Sequence, residues 1–180
     1  PIFKETAEDF IAARIKREGE NLNKHYPETN RAAFENIWQS WASDTGWKVE
    51  GYEPNYEGSQ VVFGPPGGIC TAHGAHLYKA RPGHHLAPRK MTSGRSTFDV
   101  MGFEFTLFAF GMDDAAVKGF EAAAQKLNVP MKVVRDRYEG ELKDYEAKLI
   151  LVRPDQYVVW TGDAAPADTQ AIVAKVIGRG

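Results

Sequence analysis

The sequence predicts an α/β fold in which a mixed sheet is flanked by helices, and three observations carry that prediction. Residues 103–180 alternate short apolar runs, read as strands, with two segments of helical period. Turn chemistry separates them, at Gly111-Met112-Asp113-Asp114, at Pro130 and at Arg153-Pro154-Asp155-Gln156. A chain of 180 residues, 43% of them hydrophobic, is also long enough to bury the core of one compact domain.

Residues 1–46 read as an N-terminal helical extension. A first amphipathic helix carries Ala7, Phe10, Ile11, Ile15 and Leu22 on one stripe, up to the break near Pro27. The second begins at Thr29 or Asn30 and stops at Gly46, with Phe34, Ile37, Trp38 and Trp41 at i, i+3, i+4 and i+7. That stripe is more aromatic than a short surface helix needs. It is the candidate surface for a homodimer or for a flavoprotein subunit, against the alternative of packing within the chain.

Residues 47–102 form an irregular strand and loop segment leading into the core, with short extended pieces expected at 60–63 and 76–79. The core proper spans 103–180. A buried strand is predicted over 103–110, then Asp113 as the cap of a helix over 113–127 that places Val117, Phe120, Ala124 and Leu127 on one face. A strand over 131–135, a polar segment through Tyr145, and strands over 148–152 and 157–160 follow. The last helix is predicted over 166–177, with Pro166 in its first turn and Gly178 at its end. This β-α-β-β-α order, preceded by irregular strands, is that of a thioredoxin-like layer.

Composition excludes several classes of function. Twenty-four acids against 22 bases give a formal charge of -2 without long like-charge runs, so neither nucleic acid nor an acidic membrane is an expected partner. A single cysteine, Cys70, rules out an intramolecular disulfide, and a soluble cytoplasmic protein is expected. An N-terminal proline serves some tautomerases as a base, but Thr6-Ala7-Glu8-Asp9 reads as a helix start where such an enzyme needs a strand.

Two blocks carry a resemblance. The first is Arg81-Pro82-Gly83-His84-His85-Leu86-Ala87-Pro88, followed by Gly94-Arg95-Ser96, Asp99, Gly102 and Phe105-Thr106-Leu107. The second is Leu149-Ile150-Leu151-Val152-Arg153-Pro154-Asp155-Gln156-Tyr157-Val158-Val159-Trp160. In order and spacing they resemble the C-terminal thioredoxin-like domain of FAD-dependent aromatic-ring monooxygenases, of the phenol hydroxylase type, over residues 58–177. Physically the blocks read as scaffold, because glycines permit tight turns, Phe105 and Leu107 sit in a core strand and Pro154 sets a hairpin. The thioredoxin dithiol is absent, since the first strand-to-helix turn is Gly111-Met112-Asp113-Asp114.

The resemblance implies FAD and NAD(P)H only for a full-length relative or partner, because the chain contains no Gly-x-Gly-x-x-Gly. Gly162-Asp163-Ala164-Ala165 echoes a flavin-binding segment of the family but reads as a helix start. His73, His76, His84 and His85 are the metal candidates, weighed against loop histidines with no nearby carboxylate. An independent metal enzyme built on them is the minor alternative. Cys70 is expected to be buried or inert, and no spacing suggests a nucleophile with its base. The expected role is a non-catalytic C-terminal-type domain or small subunit of a flavoprotein aromatic hydroxylase system. The alternative is a fragment of the monooxygenase itself.

Overall fold

The computed structural model describes Lys16, Arg17, Ala32, Asn36, residues 51–74 and residues 76–180, with the backbone alone at Gly51, Tyr52 and His73. Two compact units, Pro1–Val49 and Glu50–Gly180, divide the chain. The four described residues of the first unit are helical and exposed, at positions inside the two predicted helices. The stripe of Phe34, Ile37, Trp38 and Trp41, the earlier stripe, Gly46 and Trp47 lie outside the described residues.

In the second unit, β1 (Gly51–Tyr56) and β2 (Cys70–Gly74) pair antiparallel, and a short helix α1 (Thr97–Val100) follows. Next come β3 (Phe105–Phe110), α2 (Asp114–Leu127), β4 (Met131–Asp136), a 3-10 turn over Gly140–Tyr145, β5 (Leu149–Val152), β6 (Val158–Gly162) and α3 (Thr169–Val176). The sheet order is β4-β3-β5-β6. β3 runs parallel to β4, with Phe105 opposite Met131, and antiparallel to β5, with Phe108 opposite Ile150. β6 is antiparallel to β5, with Leu151 opposite Trp160.

Local chemistry fixes the crossover between the parallel strands. The Asp113 carboxylate accepts from Ala116 N at 2.9 Å and starts α2. Asn128, at φ 55, ends the helix in the left-handed conformation, and Pro130 prevents its continuation.

Successive side chains of the strands enter two cores. Leu107, Ala109, Leu149, Leu151 and Val159 meet Val117 and Phe120 of α2 and Ile172, Val173 and Val176 of α3. Phe108, Phe110, Ile150, Val152 and Val158 meet Leu86, Met91, Leu142 and Tyr145 on the other side. The sheet is therefore covered on both faces, which is why its central strands read as unbroken apolar runs.

Several predicted elements differ. Residues 60–63 and 76–79 are not strands. Val61-Val62-Phe63 is apolar because it plugs the helical core: Val62 is buried there, and Phe63 N donates to Val159 O at 2.9 Å. The polar segment through Tyr145 is the 3-10 turn, which buries Leu142 and Tyr145 completely. Phe103 lies outside β3 and is fully exposed. The final helix takes its cap from Asp168, which accepts from Ala171 N at 2.8 Å, so neither Asp163 nor Pro166 opens it. Gly178, at φ 75, follows the helix as predicted.

Candidate functional site

Three polar joints order the segment 51–102 and tie it to residues 103–180, and of the predicted site residues His84 and His85 fall in or beside the first. At the first, residues 83–86 run along the outer edge of β6. Gly83 N donates to Val158 O at 2.7 Å, Val158 N to His84 O at 2.9 Å and Leu86 N to Gln156 O at 2.9 Å. Gly83 also accepts from Tyr56 N at 2.7 Å. It holds φ +95, and a Cβ there would lie 2.6 Å from Glu57 N, so only glycine fits. Pro154 makes its predicted turn, in which Gln156 N donates to Arg153 O at 2.9 Å.

Glu57 stands at the centre of this joint. Its Oε1 accepts from the Arg81 Nε and from His84 Nε2, the latter at 2.8 Å. The side chains of Glu57 and His84 are 14% and 11% exposed, so their hydrogen bond is largely buried, while Arg81 reaches Glu57 from a side chain 40% exposed. Gly64 and Gly68 complete the enclosure, since a Cβ on either would lie within 3.0 Å of Glu57 backbone or side-chain atoms.

The three candidate histidines whose side chains are described, His76, His84 and His85, do not converge. His76 Nδ1 lies 3.1 Å from Glu53 Oε1 at the surface, and His84 pairs with Glu57. His85 sits edge-on between Phe98 and Tyr157, with ring centroids 5.7 and 5.4 Å away. His73 lies in β2 opposite Tyr52. The carboxylates that sequence spacing failed to find are Glu53 and Glu57, brought from more than twenty residues upstream by the turn between β1 and β2. Among the described residues, no three histidine, cysteine, aspartate or glutamate side chains converge as a metal site. Cys70, expected to be buried or inert, is exposed at the start of β2, which removes burial and leaves the other alternative.

The second joint is buried. Tyr145 donates from its hydroxyl to Ala87 O at 2.6 Å, and Thr97 Oγ1, 2.9 Å from that hydroxyl, accepts from Arg89 N at 3.1 Å. Burial pushes the Tyr145 phenol up to about 12, despite the opposing Thr97 hydrogen bond and Arg89 charge. The phenol is thus a permanent donor, and it has no free lone-pair role as a base at neutral pH. Arg89 stacks over Tyr78, 4.7 Å from the ring centre, with Nη2 3.3 Å from Asp144.

At the third joint, Asp136 at the end of β4 accepts from Thr92 N at 2.9 Å, from Thr92 Oγ1 and from Arg137 N at 2.8 Å. Burial alone would raise its carboxyl. The hydrogen bonds from the Thr92 side chain and backbone and from Arg137, with the Arg137 charge, outweigh burial and hold it below the usual value. A shallow cleft of about 460 Å³ opens beside this joint, lined by Lys90, Met91, Thr92, Arg137 and residues 139–141. Arg137 Nε lies 2.8 Å from Glu139 Oε1 there, and Glu141 accepts from the Lys90 backbone N at 2.8 Å.

The described residues do not fit a dinucleotide. The first strand-to-helix turn presents Asp113 and Asp114, whose charge opposes a pyrophosphate at that helix start. Gly162 belongs to β6, and the position of its missing Cβ is occupied by the Trp160 ring at 2.6 Å. Its backbone is therefore closed to a phosphate. No helix among the described residues is long and apolar enough to cross a membrane.

Glu57, Thr97, Tyr145 and Asp136 were not singled out by sequence. The clustering of Gly58, Gly64, Gly67 and Gly68 after Glu57 was the available signal, because close backbone approach needs such residues.

Comparison with known proteins places this architecture. The profile of the family described as aromatic-ring hydroxylase, C-terminal, matches residues 79–180. The FAD-dependent monooxygenase apdD of Emericella nidulans is 33% identical over 105 residues, covering 54% of this chain and 16% of that protein. Among solved structures, RebC-10x, native and K252c bound, superposes with a TM-score of 0.66 at 32% identity, over 83% of this chain and 28% of that one. Aklavinone-11 hydroxylase, in a ternary complex with FAD and aklavinone, gives 0.58 at 26% identity, over 71% of this chain and 26% of that one. The chain therefore spans well under a third of the length of these relatives.

Proposed function

The chain belongs to the family of aromatic-ring hydroxylase C-terminal domains, and on that premise we propose that it is a non-catalytic C-terminal-type domain or small subunit of a flavoprotein aromatic hydroxylase system. Its role is structural, through dimerisation or docking of a flavoprotein partner, in the cytoplasm. One observation carries this reading. Residues of both family blocks are occupied in holding the fold, with Gly83 against Glu57, His84 hydrogen-bonded to Glu57, Ala87 accepting from Tyr145 and Pro154 in a turn. FAD and NAD(P)H belong, in this reading, to residues outside the chain.

The second reading, a fragment of an FAD-dependent enzyme that hydroxylates a phenolic substrate, is favoured by the chain covering only 16% of the monooxygenase from Emericella nidulans. Absorbance and light scattering test the proposal together. The purified chain is expected to be colourless after desalting, and one retained flavin per chain would overturn it. For self-association through Phe34, Ile37, Trp38 and Trp41, a dimer is expected for the intact chain and a monomer for Trp38→Ser with Trp41→Ser. A monomer in both removes that surface.

A further inference from the structure

Among the described residues, the paired strands β1 and β2 and the loop between them meet the rest of their unit at several points, one of them the Tyr157 hydroxyl, which donates to Pro54 O at 3.4 Å. Two backbone bonds cross: Tyr56 N to Gly83 O at 2.7 Å and Phe63 N to Val159 O at 2.9 Å. Tyr56 lies edge-on to Tyr157 at 4.9 Å, Val62 enters the helical core, and Lys175 Nζ sits 4.2 Å from the Phe63 ring centre. Against these modest contacts stands Glu57, clamped between Arg81 and His84 and enclosed by Gly64, Gly68 and Gly83. A charge-assisted bond such as that from Arg81 to Glu57 is about twice as strong as a neutral one, and opening would leave the buried His84 ring without its hydrogen-bond partner.

We propose that residues 51–74 form a flap, fastened by Glu57, which opens as a unit while the four-stranded sheet stays folded. Arg81 and His84 remain with the sheet, because residues 83–86 are bonded to β6 independently of the flap. Opening frees one backbone acceptor of β6, Val159 O, and withdraws Val62 from the core beside α3.

Native-state hydrogen exchange on the full chain, read by mass spectrometry at low denaturant, tests the device. In the wild type, amides of β1, β2 and Phe63 are expected to exchange through a smaller opening than amides of β3 and β5. Glu57→Gln is expected to speed the flap amides by roughly tenfold or more without changing β3 and β5. A single shared opening for flap and sheet in the wild type overturns the proposal, and this reading stands even if the variant fails to fold. In a folded variant, an unchanged flap rate removes Glu57 as the fastener, and equal acceleration of sheet and flap removes the flap itself.

Discussion

Residues 103–180 and residues 51–102 fold by different means. In the former, each strand puts alternate side chains into two cores, and α2 and α3 cover one of them with an apolar face apiece. In the latter, order comes from three polar joints at Glu57, Tyr145 and Asp136 and from glycines that let backbones touch. A sheet of the first kind is encoded by neighbours in sequence. A flank of the second kind depends on pairs of residues 27 to 58 positions apart, such as Glu57 with His84 and Ala87 with Tyr145.

The comparison predicts a ranking of effects. Phe120 is fully buried between α2 and the sheet, 5.2 Å from the Trp160 ring. Phe120→Ala is expected to cost about 3–5 kcal/mol in urea denaturation, and the loss is global. A flank variant costing more than this would break the distinction between sheet and flank. Gly83→Ala comes next, because a Cβ would lie 2.6 Å from the Glu57 backbone at φ +95. Left-handed strain of about 1–2 kcal/mol and overlap of about 1–3 kcal/mol give an expected loss of about 2–4 kcal/mol. Hydrogen exchange should find the loosening concentrated at 51–58 and 83–86. Uniform loosening across β3 and β5 would merge the two regions.

The same division decides what the sequence made legible. Strands and helices of 103–180 follow from period and turn chemistry, with Asp113, Pro130 and Pro154 at the boundaries predicted for them. The mixed sheet with flanking helices agrees with the solved relatives. Ends were less legible: Phe103 looked like strand because it is aromatic and close to Phe105, yet it is solvent-facing. In the flank, local reasoning chose Val61-Val62-Phe63 as a strand, since apolar β-branched residues carry the same local signal whether they pair or plug a core. β1 escaped notice because Pro54 interrupts it, and its register slips between Tyr52 and Asn55. The histidines were visible, but their carboxylate partners were not, because nothing local announces that Glu57 turns towards residue 84. Tyr145 was hidden for the opposite reason, lying among Glu141, Lys143, Asp144 and Glu146, whose charges mask a buried phenol.

The smallest predicted effect sits where the two regions meet. Asp136 belongs to β4 of the sheet, while Thr92, which donates to it twice, belongs to the flank. Its carboxyl is held below the usual value in the folded protein, so the unfolded chain binds its proton more readily. The resulting stability is therefore fully present above the unfolded carboxylate value of about 4, and it is lost as pH falls through the lower folded value. The bonds lie near the surface, so the contribution is expected to stay below about 1 kcal/mol. Urea midpoints of the wild type and Asp136→Asn, measured from neutral pH down to acid, isolate it. The wild type should be the more stable at neutral pH, and the two curves should approach each other only below about pH 4. Curves that stay parallel throughout would mean that the Thr92 joint is held by shape and neutral hydrogen bonds. In that case the Asp136 charge would add nothing to the joint, and charge would hold the flank through the Glu57 cluster within it and the Arg89–Asp144 pair that links it to residues 103–180.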